Sequence, residues 1–380
     1  MRVGIIGAGQ LARMLEESAS TLGIATTVLA TSSDEAAVET AGDVVLGSAD
    51  DLEALHTLAG SCDVVTFDHE LVDLNLIASL EDAGIDVFPS SSALLFSVDK
   101  AAMRERLHHA GLPVPRYSIV PAGVGVDFAA IGESWGWPLV IKTASGGYDG
   151  KGVFVVSSVE EAHRIEHELR DAKRTMVVEE HVNIVKEIAA MVVRNSAGEI
   201  CSYPAVETVQ QDGINREVIA PAEIDPDLLS AANAIAVRIA ELIGVVGVLA
   251  VELFTTNDGL MINELALRPH NSGHWTQDGA VTSQFENHLR AVLGLPLGDT
   301  SLRDPFVCSV NILGGNDVAS FDPLLAEALG VNAKVHLYGK APRPGRKLGH
   351  VTATGSDRTE VRNRAWAAAV ALKTPAPPTI

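Results

Sequence analysis

The chain has 380 residues, 47% of them hydrophobic, and its 49 acidic residues outnumber its 28 basic residues to give a net charge of −21. This composition excludes a disordered chain and supplies enough apolar side chains for two or three domain cores. The acidic surplus disfavours general electrostatic binding of nucleic acid or an anionic membrane. It is also uneven, because residues 14–99 hold 17 acidic residues and no lysine or arginine.

Neither a membrane span nor a secretory leader is expected. The longest apolar run, near 242–250, is too short to cross a bilayer, and the N-terminal segment lacks the features of a signal peptide. Three isolated cysteines, Cys62, Cys201 and Cys308, give no disulfide framework and no zinc-ligand spacing. We therefore expect a cytoplasmic protein whose cysteines serve as small hydrophobic side chains.

Strands alternate with helices at the start of the chain. The predicted strands cover 2–6, 26–30 and 63–67, and the predicted helices cover 11–22, 51–59 and 71–82. This alternation predicts a parallel sheet covered by helices, an α/β domain over residues 1–95.

The pattern then changes to short strands with fewer helices, which predicts an α+β region over 96–299 with a flap subdomain at about 110–178. Its predicted strands cover 138–143, 153–156, 175–179, 187–193, 246–254 and 260–267, and its helices cover about 100–109, 158–171 and 226–242. A small β-rich C-terminal domain is predicted over 300–372, with strands at 306–313 and 333–338 before a last helix. A loose tail, 373–380, follows.

The first glycine turn, Gly7-Ala-Gly-Gln-Leu-Ala12, stands between a strand and a helix, the context of a dinucleotide-binding fingerprint. Backbone amides at a helix N-terminus can bind any phosphate. A dinucleotide site also needs an acid at the end of the second strand, whereas the first acid here, Asp34, comes late. NAD, another phosphate ligand and a purely structural turn all remain open. Because the stretch that follows lacks basic residues, a phosphate would bind mainly backbone amides at Gly7 to Gln10.

A second glycine cluster, Ser145-Gly-Gly-Tyr-Asp-Gly-Lys-Gly152, lies between two predicted strands. A Walker loop would require a helix after its lysine. We interpret the cluster as a flap that closes over nucleotide phosphates, with Lys142 and Lys151 supplying charge; an ordinary glycine hairpin is the alternative. A neighbouring strand ends in Glu179-Glu-His-Val182, which can offer backbone groups to an adenine edge and an acid to a ribose.

Glu252 and Glu264 lie on two apolar strands joined through Asn257-Asp-Gly259, interpreted as a three-residue hairpin loop. Both glutamates are equidistant from Asp258, so they are predicted cross-strand partners with Cβ atoms roughly 5 Å apart. Such carboxylates repel unless a cation bridges them or one is protonated. Beside a phosphate-binding flap, this pair favours Mg²⁺ shared with a nucleotide. Two solvated glutamates are the alternative.

Two further segments are candidates for binding an anion. Arg268-Pro-His-Asn-Ser-Gly-His-Trp-Thr276 follows Glu264 closely and concentrates polar groups at a strand exit, as a reaction centre does. Between Glu327 and Asp357 the chain has no acid but five basic residues, which are Lys334, Lys340, Arg343, Arg346 and Lys347. This second segment is either an anion clamp or a solvated loop.

These motifs resemble those of the ATP-grasp superfamily and, within it, the N5-carboxyaminoimidazole ribonucleotide synthetases. The resemblance covers nearly the whole chain and rests on 7–14, 146–152, 263–276 and 343–352. It implies an ATP-grasp fold with a pre-ATP-grasp domain in front, a homodimer and two Mg²⁺ ions. It also implies a carbon–nitrogen ligase of de novo purine biosynthesis. Such an enzyme uses ATP and bicarbonate to carboxylate 5-aminoimidazole ribonucleotide through carboxyphosphate, releasing ADP and phosphate.

The resemblance assigns roles to individual residues. Those assigned to the nucleotide are Lys100, Lys142, Gly147, Tyr148, Asp149, Gly150, Lys151, Gly152, Val153, Glu179, Glu180, His181, Val182, Glu187, Gln210, Asn263 and Glu264. The metal is assigned to Glu252 and Glu264, and the catalytic groups are Arg268, His270, Lys347 and Tyr148. Those assigned to the aminoimidazole ribonucleotide are Gly9, Gln10, Glu70, Asp149, Asn271, Ser272, Arg346 and Lys347.

The chain departs from the family pattern at Gln210, where a histidine is common, and at Asp68-His-Glu-Leu71, which replaces Glu-Phe-Glu-Asn. Other interpretations stay open: another ATP-grasp ligase, such as a formate-using glycinamide ribonucleotide transformylase or a biotin carboxylase, an NAD-dependent oxidoreductase, or a catalytically silent nucleotide-binding regulator. An oxidoreductase would have no use for paired Glu252 and Glu264. A regulator would bind ATP without turnover.

Overall fold

The first domain is a parallel α/β layer, seen in a computed structural model that describes residues 1–146, 152–211, 213–314 and 320–376. Its elements are β1 (Arg2–Ile6), α1 (Gln10–Leu22), β2 (Ala25–Ala30), β3 (Asp43–Leu46), α2 (Leu52–Ala59), β4 (Val64–Phe67), α3 (Leu74–Asp82) and α4 (Ser91–Val98). The strands form one parallel sheet in the order β3-β2-β1-β4. The predicted α/β domain is confirmed, although the exposed edge strand β3 and helix α4 were not predicted.

The flap subdomain is a four-stranded antiparallel sheet backed by two helices. The elements of this part are α5 (Lys100–His109), β5 (Tyr117–Val120), α6 (Phe128–Trp135), β6 (Leu139–Thr143), β7 (Val153–Val156), α7 (Val159–Asp171) and β8 (Met176–Glu180). The strand order is β5-β8-β6-β7, and β6 pairs antiparallel with β7. Strands therefore flank the second glycine cluster, as predicted, and a Walker loop is excluded. Residues 147–151 of that cluster lie outside the described residues.

A nine-stranded sheet forms the rest of the molecule. Its elements are β9 (Lys186–Arg194), β10 (Ile200–Ser202), β11 (Val206–Gln211), β12 (Ile214–Ala220), α8 (Pro226–Ile243), β13 (Gly247–Thr256), β14 (Gly259–Ala266), a 3₁₀ turn (Asn271–Gly273), α9 (Thr276–Gly279), α10 (Gln284–Val292), β15 (Phe306–Leu313), α11 (Asp322–Gly330), β16 (Lys334–Leu337), β17 (Lys347–Gly355) and α12 (Arg358–Ala371). The order is β14-β13-β9-β11-β12-β15-β17-β16, with β10 beside β9. The C-terminal strands therefore extend the central sheet, and β17, which begins at Lys347, lies between β15 and the edge strand β16.

Helix α8 shows how the central sheet is supported. Asp225 caps its first turn, Pro226 opens it and Gly244 ends it in the left-handed conformation. The buried side chains Ala232, Ala236, Ile239 and Ala240 form one stripe at helical spacing. This stripe packs in the same core as β9, β13 and β14, the strands that carry the candidate site. No helix in the described part of the chain is long and apolar enough to span a membrane.

Candidate active site

A cavity of about 720 Å³ lies where the flap sheet, the central sheet and the first domain meet. The predicted site residues that line it are Gln10, Glu70, Lys100, Lys142, Val153, Glu179, Glu180, His181, Val182, Glu187, Gln210, Glu252, Asn263, Glu264, Arg268, His270, Asn271 and Lys347. Residues chosen from separate motifs are therefore brought together around one space.

Four predicted residues that the structure describes do not line this cavity: Gly9, Gly152, Ser272 and Arg346. The hydroxyl of Ser272, a buried residue, contacts His270 Nδ1 at 2.8 Å, and Arg346 Nη1 donates to the Ala341 carbonyl at 3.1 Å. Gly152 packs closely on Thr143 with a φ of +80°. The predictions for Gly147, Tyr148, Asp149, Gly150 and Lys151 fall outside the described residues.

The two carboxylates of the predicted metal pair are direct cross-strand partners. Glu252 on β13 pairs with Glu264 on β14, as predicted. The predicted three-residue loop is wrong, because Thr256 already pairs with Gly259, which leaves a two-residue turn. A β-bulge between Glu252 and Leu253 then shifts the register by one residue and brings the glutamates opposite each other. The pairing was predicted correctly, but for an incomplete reason.

The environment of this pair disfavours two ionised carboxylates side by side. Burial, followed by the nearby Glu264 and Glu187 charges, raises the pKa of Glu252 from 4.5 to about 7. Lys100 Nζ donates to Glu264 at 2.7 Å, and Asn263 Nδ2 donates to Glu252 at 3.3 Å. Among the described residues, no three His, Cys, Asp or Glu side chains form a metal site by themselves. A hard cation here would therefore need further oxygen ligands from a bound molecule.

A second charged group lies at the end of β8, beside the pair. Lys142 Nζ lies 2.8 Å from a Glu179 oxygen and donates to Asn263 Oδ1 at 3.1 Å. Burial alone would raise the pKa of Glu179, but Arg104 and Lys142 lower it to about 2. Burial lowers the pKa of Lys142, and Glu179 partly offsets that effect. The result is a buried lysine that is paired with a buried carboxylate at the wall of the cavity.

Arg104, for which no role was predicted, has a side chain that is fully buried against this group. It donates to Glu179 at 2.6 Å. Arg104 lies one helical turn after Lys100 on the same face of α5. This spacing could have predicted that Arg104 lies near the same site.

Arg268 and His270 are held at the other end of the cavity. Glu70 accepts from Leu267 N at 2.8 Å and from Arg268 Nε at 3.0 Å, so both carboxylate oxygens bind the exit of β14. Burial, with Arg268 and Lys347 nearby, lowers the pKa of His270 to about 3. The imidazole is therefore neutral, and the positive charge at this end comes from Arg268 and Lys347.

The first glycine turn binds a carboxylate of the protein itself. Gly9 N donates to Asp68 Oδ2 at 2.5 Å, and Ala12 N donates to Asp68 Oδ1 at 3.0 Å. A Cβ on Gly7 would lie 2.8 Å from His69, and one on Gly9 would overlap the Asp68 carboxylate. Because Gly7 and Gly9 have no side chains, Asp68 and His69, which follow β4, can lie close to this turn. In this structure the Gly9 amide binds Asp68, and its contact with a substrate phosphate stays a prediction.

The neighbouring Gln10 stays at the cavity, where it accepts a hydrogen bond from Lys340 of the basic segment. Burial lowers the pKa of Lys340 to about 8, although Asp68 opposes this shift. Sequence reasoning grouped Lys340 with the basic residues but did not predict its contact with the first domain. The contact shows that the segment between β16 and β17 reaches the α1 N-terminus.

Three family models match the chain in succession. The ribonucleotide synthetase preATP-grasp domain matches residues 1–97, the ATP-grasp domain matches 105–285, and the phosphoribosylaminoimidazole carboxylase C-terminal domain matches 308–364. The antiparallel flap sheet, the nine-stranded sheet and the lysine-lined cavity agree with these matches. Fold and site together define an ATP-grasp enzyme.

Full-length relatives identify the family of ATP-grasp enzymes to which the chain belongs. The N5-carboxyaminoimidazole ribonucleotide synthase of Mycobacterium tuberculosis (strain ATCC 25618 / H37Rv) is 46% identical over 374 residues, covering 97% of this chain and 86% of the relative. That of Bacillus subtilis (strain 168) is 37% identical over 353 residues, covering 92% and 90%. The chain belongs to the family of N5-carboxyaminoimidazole ribonucleotide synthases, which are ATP-dependent ligases.

Solved structures of this family superpose on nearly the whole chain. The enzyme of Aspergillus clavatus in complex with ADP and 5-aminoimidazole ribonucleotide has a TM-score of 0.88 at 34% identity and covers 98% of each chain. The synthetase of Thermus thermophilus has a TM-score of 0.87 at 35% identity, covering 99% of this chain and 100% of its own. The tripartite organisation that the motifs implied is therefore that of the family.

Proposed function

We propose that this protein carboxylates 5-aminoimidazole ribonucleotide with bicarbonate and ATP, and releases ADP and phosphate. One observation carries the proposal: a single cavity joins buried Lys142 and Glu179 at one end to Arg268 and Lys347 at the other, with the Glu252–Glu264 pair between them. A nucleotide at one end and an anionic acceptor at the other would meet at that pair. The Aspergillus clavatus relative has been solved with a nucleotide and an acceptor of these two kinds, ADP and 5-aminoimidazole ribonucleotide, which supports the proposal.

The nucleotide occupies the end next to the flap sheet. Val155 and Ile184 line the cavity yet are 59% and 46% exposed, so a purine base would cover apolar surface there. The β8 exit, Glu179 to Val182, offers backbone groups to the base. Glu187 is the ribose ligand, and Lys100 and Lys142 meet the phosphates.

Glu252 and Glu264 would hold magnesium together with oxygens of the nucleotide. Two neighbouring carboxylates, one with a raised pKa, fit a divalent cation because it relieves their repulsion. When bound, the metal neutralises charge on the transferring phosphoryl group. Lys100, which donates to Glu264 in this structure, would then be available to the phosphates. The family resemblance favours two ions and a homodimer.

The chemistry proceeds in two transfers. A bicarbonate oxygen forms a bond to the γ-phosphorus as the bond to ADP breaks, which gives carboxyphosphate. The amine of the ribonucleotide then forms a bond to the carboxyl carbon, directly or after CO₂ is released, as phosphate leaves and the amine loses a proton. Arg268 and Lys347 hold the anionic intermediate, and the neutral His270 adds a hydrogen-bonding group without adding charge.

Tyr148 and Asp149 of the glycine cluster are proposed to face the ribonucleotide with Glu70, and Arg346 and Lys347 to approach its phosphate. The occupied amide of Gly9 supports this assignment, because the first domain lacks basic residues between Arg13 and Lys100. The charged contacts to that phosphate must therefore come mainly from Arg346 and Lys347, where β17 begins.

The test is ADP release with ATP, bicarbonate and 5-aminoimidazole ribonucleotide, each omitted in turn. We expect turnover to require ATP and to fall when either bicarbonate or the ribonucleotide is absent. Formate and biotin, added in place of bicarbonate and of the ribonucleotide respectively, should not restore it. ATP binding with no turnover under any condition would favour a regulator, and turnover that ignores both omissions would refute the carboxylase.

A further inference from the structure

Arg104 makes a set of contacts that no part of the proposed chemistry uses directly. The side chain is 0% exposed. Its Nε donates to Glu179 Oε1 at 2.6 Å, its Nη1 donates to the Ile262 carbonyl at 3.1 Å, and its Nη2 donates to the Asn263 carbonyl at 2.9 Å. One guanidinium therefore links three elements, α5, β8 and β14, behind the wall of the cavity.

The first of these contacts controls the lysine at the nucleotide end. Glu179 receives Arg104 on one carboxylate oxygen and Lys142 on the other. With Oε1 held by the guanidinium, the carboxylate presents Oε2 to Lys142 in a fixed orientation. Glu179 is 3% exposed, so water does not substitute for a lost partner. The position of the Lys142 ammonium thus depends on a residue that lies behind it.

The other two contacts hold the strand where the register shifts. The β13–β14 register changes between Leu253↔Ile262 and Glu252↔Glu264, which leaves Asn263 as the extra residue. Arg104 binds the carbonyls of Ile262 and Asn263, the two residues at that shift. It therefore stabilises the bulge that brings Glu264 opposite Glu252. Lys100, one turn earlier on α5, binds Glu264 itself.

We propose that Arg104 is a positioning residue for nucleotide and metal binding, which fixes Lys142 through Glu179 and fixes the Glu252–Glu264 pair through the β14 bulge. It contacts neither the cavity nor a reacting atom in this structure. Its effect is to arrange one cation and two carboxylates before a ligand arrives. This inference rests on the proposed nucleotide site and adds a determinant of its affinity.

A purely structural arginine would behave differently, and the chain contains one for comparison. Arg362 of α12 donates to Glu217 at 2.6 and 2.9 Å, and Glu217 is also 0% exposed. Losing either arginine leaves a buried glutamate short of a partner, so both losses lower the melting temperature. Only the loss of Arg104 changes residues that line the cavity.

The experiment compares Arg104→Gln, Arg104→Lys and Arg362→Gln with the wild-type protein by calorimetric titration of ADP, with and without Mg²⁺, and by steady-state kinetics. We expect Arg104→Gln to weaken Mg²⁺-dependent ADP binding roughly 10- to 100-fold, as for lost outer-shell partners of a metal site. The KM for ATP should rise, while the KM values for bicarbonate and 5-aminoimidazole ribonucleotide should not change. Arg104→Lys restores a cation for Glu179 without the fork that reaches both carbonyls, so an intermediate affinity is expected.

Arg362→Gln should melt at a lower temperature yet bind ADP as the wild type does. Wild-type ADP affinity in a folded Arg104→Gln protein would overturn the inference. If Arg104→Gln does not fold, wild-type ADP affinity in Arg104→Lys would overturn the proposed role of the contacts with the Ile262 and Asn263 carbonyls. An equal loss of ADP affinity in Arg362→Gln would reduce Arg104 to a general stabilising role. If the wild-type protein itself bound no ADP, the proposed function would fail first.

Discussion

Glu264→Gln is expected to abolish bicarbonate-dependent ADP formation while leaving the protein folded. The substitution keeps the shape of the side chain but removes one of two carboxylates that face each other across β13 and β14. We expect turnover to fall by at least roughly 10²–10³-fold, the loss seen when one preorganised electrostatic group is removed from a reaction centre. The measurement is ADP release at saturating ATP and Mg²⁺, with circular dichroism as the check on folding. Near-normal turnover would contradict the metal assignment.

Asp258→Asn is the matched control for this variant. Asp258 lies at the exposed turn of the same hairpin, so its substitution removes one negative charge without touching the pair. Turnover should stay at the wild-type level. If Glu264→Gln and Asp258→Asn lost activity equally, the cause would be a change in the hairpin fold or in the overall electrostatic field. It would not be the loss of a carboxylate ligand.

Glu252→Gln tests the same pair from the side of stability. The pKa of Glu252 is about 7 in the folded protein against 4.5 in a model peptide, so the unfolded chain releases this proton first as the pH rises. Ionisation of Glu252 therefore destabilises the metal-free fold progressively between about pH 4.5 and pH 7. Metal-free Glu252→Gln should gain stability relative to the wild type over that window, as measured by urea denaturation. A constant difference across the window would contradict the raised pKa.

The glutamate pair also shows how far the sequence could predict the site. Period-two alternation and a turn signal were enough to place both carboxylates on one face of a hairpin. The turn is one residue shorter than predicted, and the bulge at Asn263 restores the register. A bulge of this kind depends on contacts from elsewhere, here Arg104 of α5, which lies 159 positions away from Asn263 along the chain. The local sequence pattern therefore predicted the pairing of the two glutamates but not the β-bulge that produces it.

The first glycine turn marks the opposite case, where a local pattern was compatible with several ligands. Strand, glycines and helix N-terminus together predict a site for a negative group, and such a group is present. It is the carboxylate of Asp68, 59 residues further along the chain, at the exit of β4. Because parallel strands β1 and β4 are neighbours only in the folded sheet, the sequence alone could not identify this occupant.

The C-terminal segment illustrates a limit that concerns topology. The sequence predicted a small β-rich C-terminal domain, and a C-terminal domain model of the family matches residues 308–364, but the sheet that its strands join was not predicted. In the fold, β15 pairs with β12 and β17 pairs with β15, so they continue the central sheet. Strand periodicity specifies which residues face a core, but not which neighbour a strand will have. That neighbour relationship brings Lys347 to the cavity lined by Arg268.

Arg268→Gln is expected to remove carboxylation while leaving nucleotide binding intact. Glu70 accepts from Arg268 Nε, and the Pro269 carbonyl accepts from Nη1 at 3.1 Å, so the guanidinium is oriented before an anion arrives. Loss of this oriented charge should lower bicarbonate-dependent turnover by roughly 10²–10³-fold. ADP affinity should stay unchanged, because the Lys142 and Glu179 contacts lie at the other end of the cavity. Steady-state kinetics at varied bicarbonate, combined with ADP titration, measure the two effects separately.

Two further variants separate charge from orientation. Arg268→Lys keeps a cation but loses the planar fork, and Glu70→Gln keeps an acceptor for Leu267 N but weakens the hold on the guanidinium. Both should fall between the wild type and Arg268→Gln. Arg303→Gln is the matched control, because Arg303 also binds two carbonyls, those of Ala280 and Val281, but does not line the cavity. If Arg268→Gln weakened ADP binding instead of bicarbonate-dependent turnover, Arg268 would belong to the nucleotide end, and the order of sites along the cavity would have to be reversed.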